Sequence, residues 1–166
     1  MNILELEPVL RIRQNHAMEH ATIHLLTRSD PTLRLVGRST SKGFYLYGLV
    51  DTQAVADAAS EALARLQAGE RDLAVHPRCG TGVAAAGVLA GLAAFIVLRT
   101  RRKPGLSDLP AVMTATTLAV MASQPLGLKI QQEITTTPDL SGVRISGIRR
   151  NESGRLVTHQ VRLERD

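Results

Sequence analysis

The 166-residue sequence has few aromatic side chains and a single cysteine. Aromatic residues make up 2% of the chain and tryptophan is absent, which argues against an aromatic-rich core and against modules that stack nucleic-acid bases. An intramolecular disulfide is impossible because Cys79 has no second cysteine to pair with. We expect no nucleic-acid partner, although 20 Lys and Arg against 15 Asp and Glu give a net charge of +5.

Sequence signatures of several common enzyme classes are also missing. We find no glycine-rich phosphate-binding loop, no dinucleotide-binding fingerprint and no serine nucleophile elbow. The acidic N-terminal residues contain no short apolar core followed by a small-residue cleavage site, so no secretory signal is predicted. What the sequence does contain is a long uncharged run between two charged regions.

Residues 1–80 have the pattern of a helix, a β-hairpin and a second helix. Apolar residues at helical spacing predict a helix over residues 3–26, with Pro8 in its first turn. A cluster of helix-breaking residues at 29–31 predicts where this helix stops.

The hairpin and the second helix follow from turn and capping signals. Strands are predicted at residues 33–36 and 43–50, joined by a hairpin loop at residues 38–43. The second helix has two predicted limits, a cap at Asp51 or Thr52 and an end at Gly69.

The next segment has the composition of a membrane hairpin. Residues 81–98 form an uncharged run that would be about 27 Å long as a helix, close to the bilayer hydrocarbon thickness of about 30 Å. Residues 109–128 form a second uncharged run, richer in threonine, which suits packing against the first. We predict a transmembrane helical hairpin over residues 81–128. The alternative is a buried central helix of a soluble bundle.

Charge and small residues give further expectations for this hairpin. The basic turn at residues 99–105 favours the cytoplasm, but residues 1–80, which also carry arginines, would then be exported without a signal. The side of the membrane therefore stays open. The Gly87-x-x-x-Gly91 pattern permits close helix approach and with it a homo-oligomer.

Residues 129–166 are predicted to form a C-terminal tail with its own β-hairpin. The strands are expected at residues 143–148 and 156–163, with a turn at residues 151–154. The tail is basic, which indicates either a solvated sheet face or contact with lipid headgroups. The arginines that make it basic include Arg149, Arg150, Arg155, Arg162 and Arg165. The predicted fold class is an α+β membrane protein.

His16, Glu19 and His20 form an H-x-x-E-H motif on the predicted first helix. Residues four apart share a helical face, so His16 and His20 can bind one metal ion. Glu19 can then act as general base on a metal-activated water, in the inverse order of the H-E-x-x-H zinc hydrolases. His24 continues the same face and is a further possible ligand. The alternative is a polar helix face on which the histidines coincide.

A second group, His76-Pro77-Arg78-Cys79-Gly80-Thr81, immediately precedes the first apolar run. His76 and Cys79 are zinc-ligand types, although a lone cysteine is often only a small buried apolar residue. Arg78 could balance a carboxylate or polarise a carbonyl, or simply flank the membrane. Glu70, more than Glu61, could supply a further ligand or be a surface residue. Zn²⁺ is the expected cofactor, and other divalent transition metals fit the same ligands.

Both motifs resemble those of the YqhQ-like proteins, bacterial membrane proteins described as predicted metal-dependent enzymes of unknown substrate. Their pattern combines an H-x-A-E-H-x-T-I helix with an H-P-R-C-G-T segment at the start of a membrane span. The resemblance covers residues 14–98, with Met18 where the pattern has alanine. It does not extend to residues 33–68 or to the tail from residue 104. It implies metal binding and a place in the bacterial inner membrane.

Two functions of different classes are compatible with these residues. The first is a membrane-anchored zinc-dependent hydrolase, a peptidase acting on a peptide or membrane protein at the membrane edge. In this interpretation the aromatic strand Phe44–Tyr47 could offer an edge to an extended peptide. The second is a non-catalytic membrane module for assembly or partner binding. Its structural zinc would be closed by His16, His20, His76 and Cys79.

Overall fold

The computed structural model describes residues 2–154 and 156–165. Within them, four α-helices and one four-stranded antiparallel sheet give an α+β fold. Arg155, one of the tail arginines, lies outside the described residues. The elements are α1 (Glu7–Ser29), β1 (Val36–Thr40), β2 (Gly43–Tyr47), α2 (Thr52–Gln67), α3 (Gly80–Arg99), α4 (Leu109–Ile130), β3 (Val143–Ser153) and β4 (Leu156–Arg165).

The chain forms two compact units, Met1–His76 with Gln132–Asp166, and Pro77–Gln131. The first unit contains α1, α2 and the whole sheet, and the second contains α3 and α4. These two units divide the chain differently from the three predicted segments. The predicted C-terminal tail belongs to the first unit, because β3 and β4 are in the same sheet as β1 and β2.

The two helices of the first unit are close to their predicted limits. Pro8 lies in the first turn of α1, where its missing N–H costs no intrahelical bond, and residues 3–5 form a separate short 3₁₀ helix. The carboxylate of Asp51 caps α2 by accepting hydrogen bonds from the backbone N–H groups of Gln53 and Ala54, at 2.8 and 3.0 Å.

Strand β1 is displaced from its predicted position. The sequence predicts a strand at residues 33–36 and a loop at 38–43, but β1 spans Val36–Thr40 and a two-residue turn leads into β2. The prediction is wrong because Gly37 interrupts the local strand signal, since glycine is depleted in strands. Contacts with α1 fix this strand instead: the side-chain amide of Asn15 donates to the backbone oxygen of Thr40 at 2.6 Å.

The C-terminal hairpin is longer than predicted. The sequence predicts a turn at residues 151–154, but Asn151, Glu152 and Ser153 continue β3 and pair with β4. Pairing along the ladder overrides the turn preference of these polar residues. Gly154 follows with a φ of 62°, a left-handed conformation that favours glycine.

The two hairpins join through β2 and β4, so the strand order is β1-β2-β4-β3. The prediction that Phe44–Tyr47 presents a free edge to a peptide is therefore wrong, because β1 and β4 flank β2 on its two sides. The edge strands of the sheet are β1 and β3.

The core of the first unit lies between one face of the sheet and helices α1 and α2. Phe44 and Leu46 of β2 are fully buried, and so is Met18 of α1. The helices contribute small residues to this interface, which allows a close approach of the backbones. The fully buried alanines are Ala17, Ala21, Ala59 and Ala62.

The second unit is a helical hairpin with an apolar surface. Within the described residues both helices are long and apolar enough to cross a membrane, in the segments Gly80–Arg99 and Leu106–Thr135. The two helices approach each other closely at glycine: a Cβ atom at Gly127 would lie 2.9 Å from the Cα of Gly82. By contrast, a Cβ atom at Gly87 or Gly91 would meet nothing within 4 Å among the described residues.

We predict that Gly127→Ala destabilises the hairpin by about 1–3 kcal/mol, because its methyl group would overlap the facing backbone. The matched control is Gly105→Ala, in the segment between α3 and α4, where an added methyl group meets nothing within 4 Å among the described residues. Thermal unfolding of both variants in mild detergent would show this. An equal unfolding midpoint for the two variants would contradict the observed contact.

Strand β4 places a histidine in the core of the first unit. His159 is fully buried, with Nε2 at 3.0 Å from the Thr52 hydroxyl and no hydrogen-bond partner for Nδ1 among the described residues. Burial lowers the pKa of His159 from its usual 6.5, and the charge of Arg150 lowers it further, while Asp51 opposes the shift.

We predict that His159→Gln weakens the pH dependence of stability. The unfolded chain takes up a proton at His159 near pH 6.5, whereas the folded protein does so only at lower pH. The free energy of unfolding therefore falls as the pH drops below 6.5. Denaturant unfolding at about pH 7.5 and about pH 5.5 would measure this in both proteins. If the variant lost as much stability as the wild type, this account would be wrong.

Candidate metal centre

Helix α1 aligns three histidines along one face, and a fourth reaches them from the segment after α2. The ring centroids of His16 and His20 lie 4.3 Å apart. The His76 ring lies 5.7 Å from that of His20 and 4.6 Å from that of His24. The first unit therefore gathers the four predicted histidines into one cluster.

Two backbone carbonyl groups fix the tautomers of His16 and His20. Nδ1 of His16 lies 2.9 Å from the oxygen of Thr135, and Nδ1 of His20 lies 2.8 Å from the oxygen of Ala74. A carbonyl oxygen can only accept, so each Nδ1 carries a proton, and in the neutral form of the ring each Nε2 then carries the lone pair. Neutral imidazoles oriented in this way are typical of metal ligands.

The Nε2 atom of His20 is a buried polar atom that could bind a ligand. His20 is 2% exposed, and Nε2 has no hydrogen-bond partner among the described residues. An unsatisfied buried polar atom costs about 1–3 kcal/mol, so the fold keeps this lone pair at a penalty. One ring nitrogen of His16 lies within 4.8 Å of one of His20, close enough for a small shift to bring both onto one ion.

The carbonyl that orients His16 belongs to an irregular backbone segment. Helix α4 continues into a π-helical turn, Gln131–Thr135. Arg13 of α1 anchors this segment, because its Nη2 donates to the backbone oxygens of Glu133 and Thr136 at 3.1 and 3.0 Å. The position of His16 therefore depends on residues far along the chain that the sequence analysis does not single out.

His24 is oriented differently from the other two histidines of α1. Its Nε2 donates to the backbone oxygen of Val75 at 2.8 Å, so its lone pair is on Nδ1. Its ring packs against that of half-buried His76. These two histidines line the more exposed end of the cluster, beyond buried His20.

The carboxylate of Glu19 is buried and faces strand β1. The Ser39 hydroxyl donates a hydrogen bond to it, and a Cβ atom at Gly37 would overlap it. Neither of these β1 residues is predicted from the sequence to belong to the site. A glycine within a strand often marks the close approach of another group, but the predicted strand ended at residue 36 and did not include Gly37.

The second motif divides between the two units. His76 belongs to the first unit, whereas Arg78 and Cys79 belong to the second. Cys79 is buried and caps α3, with its sulfur accepting from the backbone N–H of Thr81 at 3.4 Å. Three peptide units separate it from His76, so their Cα atoms lie within about 11 Å of each other. Arg78 is exposed in the turn before Cys79.

Arg65 engages both of the acidic residues considered as further ligands. Its guanidinium contacts the carboxylates of Glu70 and Glu61 at 2.5 and 2.9 Å on an exposed part of the surface. The hydrogen bond that Arg65 donates to Glu70, followed by the one that it donates to Glu61, raises the pKa of Arg65. Glu70 could become a metal ligand only if this ion pair opened.

Comparison with known proteins identifies the family of the chain. The model of the family described as Domain of unknown function (DUF6391) matches residues 11–148, from α1 into β3. The chain belongs to this family. It is 40% identical over 170 aligned residues to an uncharacterized protein of Picosynechococcus sp., covering 95% of this chain and 82% of that protein. No solved structure matches. The resemblance to the YqhQ-like proteins stays a prediction.

We predict that Gly37→Ala displaces the Glu19 carboxylate and costs about 1–3 kcal/mol of stability, since no open space exists for the added methyl group. Gly147→Ala in β3 is the matched control, because a Cβ atom there meets nothing within 4 Å. Thermal unfolding of both variants tests the contact. A Gly37→Ala protein as stable as the control would show that the carboxylate does not lie against β1.

Proposed function

We propose that this protein is a membrane-anchored zinc-dependent hydrolase of the peptidase type. The observation that supports the proposal most strongly is the buried Nε2 of His20, which has no hydrogen-bond partner in the part of the chain that the structure describes. It lies beside His16, whose Nδ1 also donates to a backbone carbonyl oxygen. Neutral imidazoles and a thiolate are the donors that Zn²⁺ prefers, so the residue types fit this ion.

In this proposal His16 and His20 are two protein ligands and the third comes from the second motif. Cys79 is our choice, because its thiol is buried and lies three residues from His76. Three protein ligands leave one coordination position open. The ion in such a site would polarise a carbonyl and lower the pKa of a coordinated water.

Glu19 is the proposed general base. Water attacks the carbonyl carbon of the peptide, a C–O bond forms, and the C–N bond breaks. Glu19 takes a proton from the water and gives it to the leaving amine nitrogen. The hydrogen bond from Ser39 supports this role by holding the carboxylate in one orientation. Arg78 would polarise the carbonyl oxygen.

Membrane anchoring belongs to helices α3 and α4 in this proposal. Many of their apolar side chains are exposed, including Val83, Val88 and Met121. A lipid environment would remove these apolar side chains from contact with water. We propose the bacterial inner membrane as the location, with no commitment to the side that carries the metal centre. A homo-oligomer through Gly87 and Gly91 is part of the same proposal.

A structural zinc site is the second candidate. Its supporting observation is the position of the His76 ring, 5.7 Å from that of His20. If His76 and Cys79 both joined His16 and His20, four protein ligands would close the tetrahedron and leave no position for water. The protein would then be an assembly or partner-binding module.

We predict about one zinc per chain in carefully purified wild-type protein, lost in His20→Ala and retained in Glu19→Ala. Elemental mass spectrometry on detergent-purified protein measures it. His159→Gln is the matched control, because it also alters a buried histidine with an unpartnered nitrogen. We expect it to keep its zinc. Metal-free wild type, or equal loss in the control, would contradict a site at His20.

Cobalt replacement separates the open site from the closed one. An open site adds acetohydroxamate as a further ligand, which shifts the visible spectrum of Co²⁺. A closed site leaves the spectrum unchanged. We expect a shift in the wild type. An unchanged spectrum, together with loss of cobalt from both Cys79→Ala and His76→Ala, would favour the structural module.

A further inference from the structure

Strand β1 is an edge strand whose one neighbour in the sheet is β2. The hydrogen bonds between β2 and β4 show which residues of β2 bond to β4 and which bond to β1. The backbone N–H of Leu163 bonds the oxygen of Lys42 at 3.1 Å, and the N–H of Gly48 bonds the oxygen of Val157 at 3.0 Å. Bonds in an antiparallel ladder alternate along a strand. The even-numbered residues of β2 therefore direct their backbone groups to β4, and the odd-numbered ones direct theirs to β1.

This alternation determines which backbone groups of β1 are outward. Tyr45 and Tyr47 are paired with Arg38 and Val36, so those two residues of β1 use their N–H and C=O groups inside the sheet. Gly37 lies between Val36 and Arg38, and Ser39 follows Arg38. Both Gly37 and Ser39 therefore direct their N–H and C=O groups to the open edge. Among the described residues, no backbone group is recorded as hydrogen-bonded to these outward groups.

The same two residues contact the proposed general base. Ser39 donates its hydroxyl to Glu19, and the missing side chain of Gly37 makes room for the carboxylate. A chain paired with the outward groups of Gly37 and Ser39 would therefore lie beside Glu19. The spacing of those groups, two residues or about 6.8 Å, is that of an extended strand.

We propose that the open edge of β1 binds the substrate as an added β-strand. The occupant is an extended segment of polypeptide, held by main-chain hydrogen bonds to Gly37 and Ser39. This inference rests on the proposed peptidase function and specifies its substrate: a segment that is unfolded or already extended where it is cut. Main-chain pairing supplies affinity, and side-chain contacts supply the selectivity.

Arg38 supplies one element of that selectivity. It is exposed on the outer face of the sheet and forms no ion pair among the described residues. A residue of the added strand directly opposite Arg38 would lie within cross-strand contact of its side chain. An acidic side chain is the preferred occupant of that position.

The test compares Ser39→Pro with Ser39→Ala in the detergent-solubilised full chain. Both variants lose the hydroxyl bond to Glu19, but only proline loses the outward N–H and blocks the edge. Proline is compatible with an edge strand when its N–H faces away from the sheet. Glu152→Pro is the control at the other edge, since the same alternation directs the N–H of Glu152 outward from β3.

The probe is a pool of peptides of about 15 residues from a digested, alkylated protein, with bound peptides identified by mass spectrometry. We expect Ser39→Pro to weaken peptide binding about tenfold or more relative to Ser39→Ala, and Glu152→Pro to bind like the wild type. Bound peptides should be enriched in acidic residues. Equal binding by the two Ser39 variants, or no peptide bound by the wild type, would overturn the proposal.

Two further readouts keep the result interpretable. The first readout uses the wild-type protein only, so it does not depend on the folding of a variant. A bound peptide is N-methylated at alternate residues in two versions, one at its odd-numbered and one at its even-numbered residues. One version should lose binding and the other should keep it. Metal-dependent cleavage is followed in parallel. Cleavage unaffected by Ser39→Pro relative to Ser39→Ala refutes the edge and leaves the peptidase standing. Edge-dependent binding without cleavage supports the edge and refutes the peptidase.

Discussion

The candidate site depends on two hydrogen bonds, in each of which a histidine N–H group donates to a backbone carbonyl oxygen. His16 donates to Thr135 and His20 to Ala74, so each bond joins α1 to a segment far away in the sequence. Together they set the tautomer of both rings and prevent rotation about their side-chain bonds. Without these carbonyl groups the H-x-x-E-H motif would be two flexible imidazoles on a helix, with no preferred nitrogen available for a metal.

Hydrogen bonds to residues far along the chain also hold α1 in place within the first unit. Arg165, near the C-terminus, donates to the side-chain oxygens of Gln14 and Asn15 at 2.8 and 2.6 Å, and burial lowers its pKa. Arg13 holds the segment that carries Thr135. The C-terminal part of the first unit is residues 132–166. Polar residues of α1 next to the histidine motif thus bind this segment near both of its ends. A buried polar network of this kind stabilises one arrangement because each partner is costly to leave unpaired.

Local signals in the sequence were enough to predict some of these features. The limits of α1 and α2 follow from Pro8 and from the Asp51 cap, because capping depends on neighbours within one turn. The proximity of His16 and His20 follows from helical periodicity alone. The structure confirms the α+β class and the two long apolar helices.

The remaining features depend on contacts between distant residues. Strand β1 contains a glycine that weakens its local strand signal, and contacts with Asn15 and Glu19 fix it, so its position could not be predicted from its own residues. The joining of both hairpins into one sheet depends on the pairing of Phe44 with Val161 and its neighbours, which periodicity cannot reveal. The acceptors for the histidine rings are backbone atoms, and these have no sequence signature at all.

The discontinuous first unit imposes a parity rule on membrane topology. Its sheet is built from strands before and after the α3–α4 hairpin, and β2 and β4 are hydrogen-bonded neighbours. If α3 and α4 enter a bilayer, residues 76 and 132 must consequently lie in the same aqueous compartment. The chain between them would then cross the bilayer an even number of times: both helices would traverse it, or neither would. A single crossing would pull the sheet apart, so any reporter fused at the C-terminus must report the same side as one fused at the N-terminus.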